Sequence, residues 1–220
     1  MFRRKKSEAD EAPASEVEES PEVPTGPRAK GPWDVSEVVI EEGDDTRVDL
    51  GGLLVTPRPG LELQLQVDEE GGRVVAVLLA GSEGAVELRA FAAPRNGDIW
   101  DDVRRQVSAE VARQGGTATE VQGAFGTELK VAVTVSLPDG KRAQQTSKVV
   151  GIVGPRWLLR ATLFGRPALE HREDGDIEAA LRDVVVVRGT TPIPPGDPLP
   201  LTVPANVKGI DQPDADGDVR

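Results

Sequence analysis

The feature that most constrains the fold is an amphipathic segment in the middle of the chain, at residues 98–114. Its apolar residues recur at steps of four, as Ile99, Val103, Val107 and Val111. This spacing predicts a helix with one apolar stripe, while charged residues take the opposite side. Asp98 can cap the first turn, and Gly115-Gly116 is typical of a helix end. Such a stripe needs a surface to cover it, and the flanking sequence supplies predicted strands.

Short segments on both sides of this helix alternate between apolar and polar residues or are apolar throughout. The predicted strands are residues 48–55 (one strand or a bent pair), 61–67, 73–80, 85–92, 117–123, 127–137, 142–153 and 155–165. The polar first half of 142–153 favours a sheet edge or a protrusion. A second helix is predicted at 174–183, and 184–187 either extends it or forms a strand. The short turns make the strands antiparallel. The predicted fold class is α+β, a twisted antiparallel β-sheet with two helices packed on one face.

Composition divides the chain into four parts. Residues 1–30 form a charged tail, 31–189 a single α+β domain, 190–205 an extended Pro-rich segment, and 206–220 an acidic tail. Both tails are predicted to be disordered, because they hold too little apolar surface to offset the entropy of ordering. The basic cluster Arg3-Arg4-Lys5-Lys6 predicts at most weak contact with a membrane surface.

Charge and composition exclude several functions. The net charge of −12 argues against general nucleic-acid binding, because phosphate neutralisation dominates that affinity. The chain has no cysteine and one histidine, His171, which excludes thiolate and multi-histidine metal sites. Its longest apolar run, 74–80, is too short for a transmembrane segment, and no signal peptide is visible. We therefore expect a cytoplasmic protein.

No motif of a known reaction is found. The chain lacks a P-loop and a dinucleotide-binding glycine pattern, and His171 lies in a charged stretch that predicts an exposed loop. The C-terminal aspartates lack the glycine and the final glutamate of a calcium loop. We assign no catalytic residue, no metal ligand and no cofactor. Whether the protein is an enzyme stays open, and the missing motifs weigh against it.

The strongest functional hypothesis rests on arginine and tryptophan. The candidate binding residues are Arg95, Trp100, Arg104, Trp157 and Arg160. These residue types are enriched in recognition hot spots, which favours a protein-binding or adaptor domain with a protein partner. The alternative is binding or turnover of a small anionic, nucleotide-like ligand held by the arginines. In a third interpretation, the tryptophans are core anchors and the arginines pair with nearby carboxylates.

Several strings together carry a resemblance to a known family. They are Gly31-Pro32-Trp33-Asp34, Asp49-Leu50-Gly51-Gly52-Leu53, Phe91-Ala92-Ala93-Pro94-Arg95, Gly97-Asp98-Ile99-Trp100-Asp101-Asp102-Val103-Arg104, Gly123-Ala124-Phe125-Gly126-Thr127-Glu128-Leu129, Gly154-Pro155-Arg156-Trp157-Leu158-Leu159-Arg160 and Val185-Val186-Val187-Arg188-Gly189. The chain resembles an actinobacterial domain-of-unknown-function family (number 3710) over about residues 31–204. The resemblance implies no activity and no catalytic residue. More loosely, the order of strands and helices is similar to that of PsbP-like domains, which mostly bind proteins, but fold does not determine function.

Overall fold

The computed structural model describes Pro24 and residues 26–41, 43, 45–68, 71–136 and 140–204. Two of the predictions lie outside these residues, namely the basic cluster at Arg3-Arg4-Lys5-Lys6 and the C-terminal tail at 206–220. Most of the predicted N-terminal tail also lies outside them. No helix in the described ranges is both long enough and apolar enough to cross a membrane.

The described residues form eleven strands and three α-helices. The strands are β1 (Trp33–Asp34), β2 (Val48–Asp49), β3 (Leu53–Val55), β4 (Glu62–Val67), β5 (Val74–Ala80), β6 (Gly84–Ala92), β7 (Thr117–Gly123), β8 (Gly126–Ser136), β9 (Arg142–Gly154), β10 (Trp157–Gly165) and β11 (Val185–Val186). The helices are α1 (Trp100–Arg113), α2 (Arg166–Leu169) and α3 (Asp176–Arg182).

The centre of the fold is a seven-stranded antiparallel sheet in the order β4-β5-β6-β10-β9-β8-β7. Hairpins join neighbours within each half, and α1 connects the two halves between β6 and β7. Strand β10 joins the two halves of the sheet, because it pairs with β6 on one side and with β9 on the other. The predicted α+β class with an antiparallel sheet is confirmed.

A second, four-stranded sheet has the order β1-β11-β3-β2. Here Trp33 lies beside Val185 in a parallel pair, which joins the start of the described chain to the segment after α3. The predicted bent pair within 48–55 is present, because β2 and β3 pair around the turn at Gly51-Gly52. The ambiguous segment 184–187 forms β11 instead of extending the helix.

The helices cover opposite faces of the large sheet, which corrects the prediction that both pack on one face. On β10, Trp157, Leu159, Ala161 and Leu163 belong to the larger core with α2, α3 and the small sheet. Leu158 points the other way and belongs to the smaller core, under α1. Because alternate residues of this central strand are buried on both sides, each face needs its own cover.

Helix α1 follows the predicted stripe. Val111 is buried, and Ile99, Val103 and Val107 pack against the smaller core. Asp98 Oδ1 accepts a hydrogen bond of 3.1 Å from the Trp100 N–H at the start of the helix. At the other end, Gly115 has a φ of 73°, a conformation that glycine adopts without steric cost.

The pairing of β9 explains why its first half is polar. It lies inside the sheet, so the prediction of a sheet edge is wrong. Its residues before Ser147 pair only with β8, however, so this part of the hairpin extends beyond β7 and β10, as the alternative of a protrusion predicts.

Candidate functional site

Trp157 is a core residue held by a polar network. Its side chain is completely buried, and its Nε1 donates a 2.7 Å hydrogen bond to Asp34 Oδ2. The Arg28 guanidinium lies 5.3 Å from the ring centroid and makes a bidentate pair with Glu37, at 2.5 and 2.6 Å. Glu37 Oε2 also accepts a 2.6 Å hydrogen bond from the Asp34 N–H. The indole is therefore fully engaged and exposes no binding surface.

Trp100 is also buried, on the opposite face of the sheet, at the start of α1. Its Nε1 donates a 2.8 Å hydrogen bond to the Thr127 carbonyl oxygen. The ring packs on the backbone of Gly151, where a Cβ atom would lie 2.1 Å from Cδ2 of the indole. Glycine at this position of β9 is what lets the ring approach the sheet.

The arginines near Trp100 differ in their surroundings. The Arg104 guanidinium lies 5.9 Å from the Trp100 ring centroid and forms ion pairs with Asp101 and, at 2.7 Å, with Glu120. Its charge is already balanced. Arg95 is exposed in the turn before α1, and within the described residues it makes no hydrogen bond or ion pair.

Arg160 has the most unusual environment of the five predicted residues. It points to the α1 side of the sheet, where its guanidinium lies 5.5 Å from the ring centroid of Phe91. Burial lowers the pKa of Arg160 below its ordinary value, the nearby charge of Arg89 lowers it further, and Glu87 acts in the opposite direction. Glu87 pairs with Arg89 at 2.8 Å. No residue of the described chain makes an ion pair or a hydrogen bond with Arg160.

Arg160 lines a groove of about 490 Å³ between α1 and the sheet. We call it the α1 groove. The groove is lined by Val103, Gln106, Val107, Glu110, Val111, Arg113, Gln114, Val131, Val133, Ser147, Val149, Arg160, Thr162 and Phe164. Seven of these fourteen side chains are valine or phenylalanine, and several are only half-buried. The groove lies where α1, which contacts β7 to β9, leaves Arg160, Thr162 and Phe164 of β10 only half-buried, whereas Leu158 on the same face is buried under the helix.

The structure thus brings Arg104 to Trp100 but separates the other predicted binding residues from this pair and from one another. Arg160 lines the α1 groove, Arg104 and Arg95 do not, and Trp157 faces the other side of the sheet. Sequence reasoning missed the groove walls, although alternation along the predicted strand 155–165 puts Leu158, Arg160, Thr162 and Phe164 on one face. The neighbouring Phe91 could not be assigned to that face without the pairing of β6 with β10.

Other polar groups in the described chain form no catalytic constellation. Glu128 is 2 % exposed, accepts a 3.3 Å hydrogen bond from the Phe125 N–H and lies 3.7 Å from Lys148 Nζ. His171 is exposed, as predicted. No three or more histidine, cysteine, aspartate or glutamate side chains of the described ranges group in a way that could hold a metal ion.

Comparison with known proteins identifies a family. No curated protein matches the sequence. A family model described as "Protein of unknown function (DUF3710)" matches residues 31–209, which include both sheets and all three helices. The chain therefore belongs to the DUF3710 family.

Proposed function

We propose that this protein is a cytoplasmic, non-enzymatic protein-binding domain. It holds an extended segment of its partner in the α1 groove and pairs a carboxylate of that segment with Arg160. The observation that carries the proposal is the combination of an apolar groove with a partly buried Arg160 side chain that makes no ion pair or hydrogen bond with a described residue.

An arginine in this position favours an anionic partner. Burial disfavours its charged form, and an opposite charge would offset that cost. The guanidinium presents a fork of N–H donors that matches a carboxylate, and its distance of 5.5 Å from the Phe91 ring centroid is within cation–π range. A carboxylate bound here would be shielded from water by the surrounding apolar side chains, which strengthens the ion pair.

The apolar walls favour a peptide over a nucleotide. Val103, Val107 and Val133 are each only partly buried along the groove, so a partner side chain would remove apolar surface from water. A polyphosphate would need several cationic or backbone donors, whereas Arg104 is paired and Arg95 lies outside the groove. The second arginine that lines the groove, Arg113, is paired with Glu110. The nucleotide-like ligand considered from the sequence therefore fits this site less well.

A display selection tests the proposal directly. The full chain is immobilised, and a random peptide library is selected against the wild type, Arg160→Gln, Val107→Glu and Arg105→Gln. Arg105 is the matched control, because it lies on α1, is exposed and does not line the groove. We expect peptides that combine apolar residues with a carboxylate, retained by Arg105→Gln and lost in the two groove variants.

Two outcomes would overturn the proposal. One is that no peptide family is enriched. The other is that the enriched peptides bind all four proteins equally, which would place their site elsewhere. Stabilisation of the wild type by inorganic phosphate or ATP in a thermal-shift assay, with loss in Arg160→Gln, would instead support the small-anion alternative.

A further inference from the structure

The second surface with unused binding capacity is the free edge of β4, at the end of the large sheet. Within the described chain, β4 makes ladder hydrogen bonds only with β5, so its other side presents unpaired backbone N–H and C=O groups. Such an edge is a template for another strand. It lies away from the α1 groove, which is built on β8 to β10.

The side chains of β4 leave apolar surface at this edge. Leu63 and Leu65 are half-buried on the core side, and together with Leu61 and Val48 they line a cavity of about 580 Å³. Val67 continues the same alternation and is 43 % exposed, although it still pairs with Val74 of β5 after the register shift that follows Gln66. The opposite face of β4 carries Glu62, Gln64 and Gln66.

We propose that β4 pairs antiparallel with β4 of a second copy of this chain, which joins the two large sheets into one. The two-fold axis lies at Gln64. Residues directly opposite each other in an antiparallel pair share a face, so the register must match residues of the same parity. The centred register places Gln64 opposite Gln64, Leu63 opposite Leu65, Glu62 opposite Gln66 and Leu61 opposite Val67.

This register is chemically self-complementary. It covers the exposed Val67 with Leu61, forms two leucine pairs and places no like charges opposite each other. The carboxylate of Glu62 meets the amide of Gln66. That amide's oxygen lies 3.4 Å from an Arg89 nitrogen, which leaves the amide N–H₂ as the donor toward Glu62.

The alternatives are less favourable. Moving the axis to residue 65 places Glu62 opposite Asp68, and moving it to residue 63 leaves Val67 outside the pairing. At the other end of the sheet, the centred self-pairing of β7 would put Glu120 opposite Glu120. That residue is already bound by Arg104 within its own chain. Like charges directly opposite each other are destabilising, so charge favours the β4 edge.

Cross-linking tests both the surface and the register. The chain has no cysteine, so Gln64→Cys introduces a single thiol per copy. In the proposed register the two Cβ atoms at position 64 lie about 5 Å apart, close enough for a disulfide. In Gln66→Cys they are displaced by four residues, about 13 Å along the strand. We expect oxidation of the full chain to give a covalent dimer from Gln64→Cys and none from Gln66→Cys.

Sedimentation of the variants without cysteine gives the second readout. The wild type should move from 23.4 kDa toward twice that mass as its concentration rises. Gln64→Lys places two lysines on the axis and should weaken dimerisation about fivefold, whereas Gln64→Thr should stay within about twofold. The far-UV circular dichroism of each variant checks folding. A wild type that stays monomeric, equal cross-linking of both cysteine variants, or a dimer unaffected by Gln64→Lys would overturn the proposal.

Discussion

Trp157 and Asp34 lie 123 positions apart in the chain, yet the indole Nε1 of one donates a 2.7 Å hydrogen bond to Oδ2 of the other. This bond connects the centre of the large sheet to β1, the first strand of the small sheet. The same aspartate accepts hydrogen bonds from the backbone N–H and the hydroxyl of Ser36 at 2.9 and 2.6 Å. One carboxylate therefore binds both the central strand β10 and the backbone that follows β1.

Trp157→Phe tests how much this connection contributes to stability. The substitution keeps an aromatic ring but leaves Asp34 Oδ2 buried without its donor, so the free energy of unfolding should fall by about 1–3 kcal/mol. Urea titration followed by far-UV circular dichroism measures the change. The double variant with Asp34→Asn should be less unstable than the sum of the two single variants. Strict additivity would mean that the bond contributes nothing.

Two glycines in β9 make room for the two tryptophans, Gly151 for Trp100 and Gly154 for Trp157. A Cβ atom on Gly151 would lie 2.1 Å from the Trp100 ring, so Gly151→Ala should lower the free energy of unfolding by about 1–3 kcal/mol through overpacking. Thermal and urea unfolding both report this loss. Adding Trp100→Leu should recover part of it, because the smaller side chain vacates the contact. If Gly151→Ala leaves the midpoint unchanged, the ring does not pack on this backbone.

The periodic elements could be predicted from the sequence because their signals are local. The four-residue steps from Ile99 to Val111 require only that neighbouring turns stack, and the alternation in residues 61–67 requires only a pleated strand. Contacts between residues that are distant in the chain could not be predicted. Leu158 and Trp157 are both apolar, so the pattern shows two buried faces but not which helix covers each.

The same contrast between local signals and long-range contacts applies to the candidate site. Arginine and tryptophan in 95–104 and 157–160 were visible as residue types, but their roles depend on distant partners. The indole N–H of Trp157 donates to Asp34 inside the core, and Glu120 neutralises Arg104. Of the three predicted arginines, Arg104 is paired, Arg95 is exposed, and Arg160 is partly buried without an ion pair to a described residue. The contact of Arg160 with Phe91 depends on the pairing of β6 with β10.

The two adjacent arginines of α1 should differ in their contribution to stability. The Arg104 side chain is 13 % exposed, contacts Trp100 and pairs with Asp101 and Glu120, whereas Arg105 is 75 % exposed. Because both carboxylate partners of Arg104 are mostly exposed, solvent screens the pairs, and Arg104→Ala should cost only about 1 kcal/mol. Arg105→Ala should cost close to nothing. The difference should shrink in high salt, and equal effects of the two variants would contradict the assignment.

The buried pair of Glu128 and Lys148 should be sensitive to the loss of its lysine. The carboxylate is 2 % exposed, and Gly123 leaves it room, since a Cβ there would lie 2.0 Å from its Cδ. Lys148→Met would leave this charge buried beside only the 3.3 Å hydrogen bond from Phe125, at a cost of about 3 kcal/mol in unfolding free energy.

A lysine directly across the ladder provides the control for this pair. Lys130 lies opposite Lys148 and is exposed, so Lys130→Met removes a like charge and should be neutral or slightly stabilising. Combining Lys148→Met with Glu128→Gln removes both charges and should restore part of the lost stability, because no uncompensated carboxylate remains. Urea unfolding of the four proteins decides the question. A double variant as unstable as Lys148→Met alone would show that packing of the lysine stem, and not the ion pair, holds this corner of the sheet.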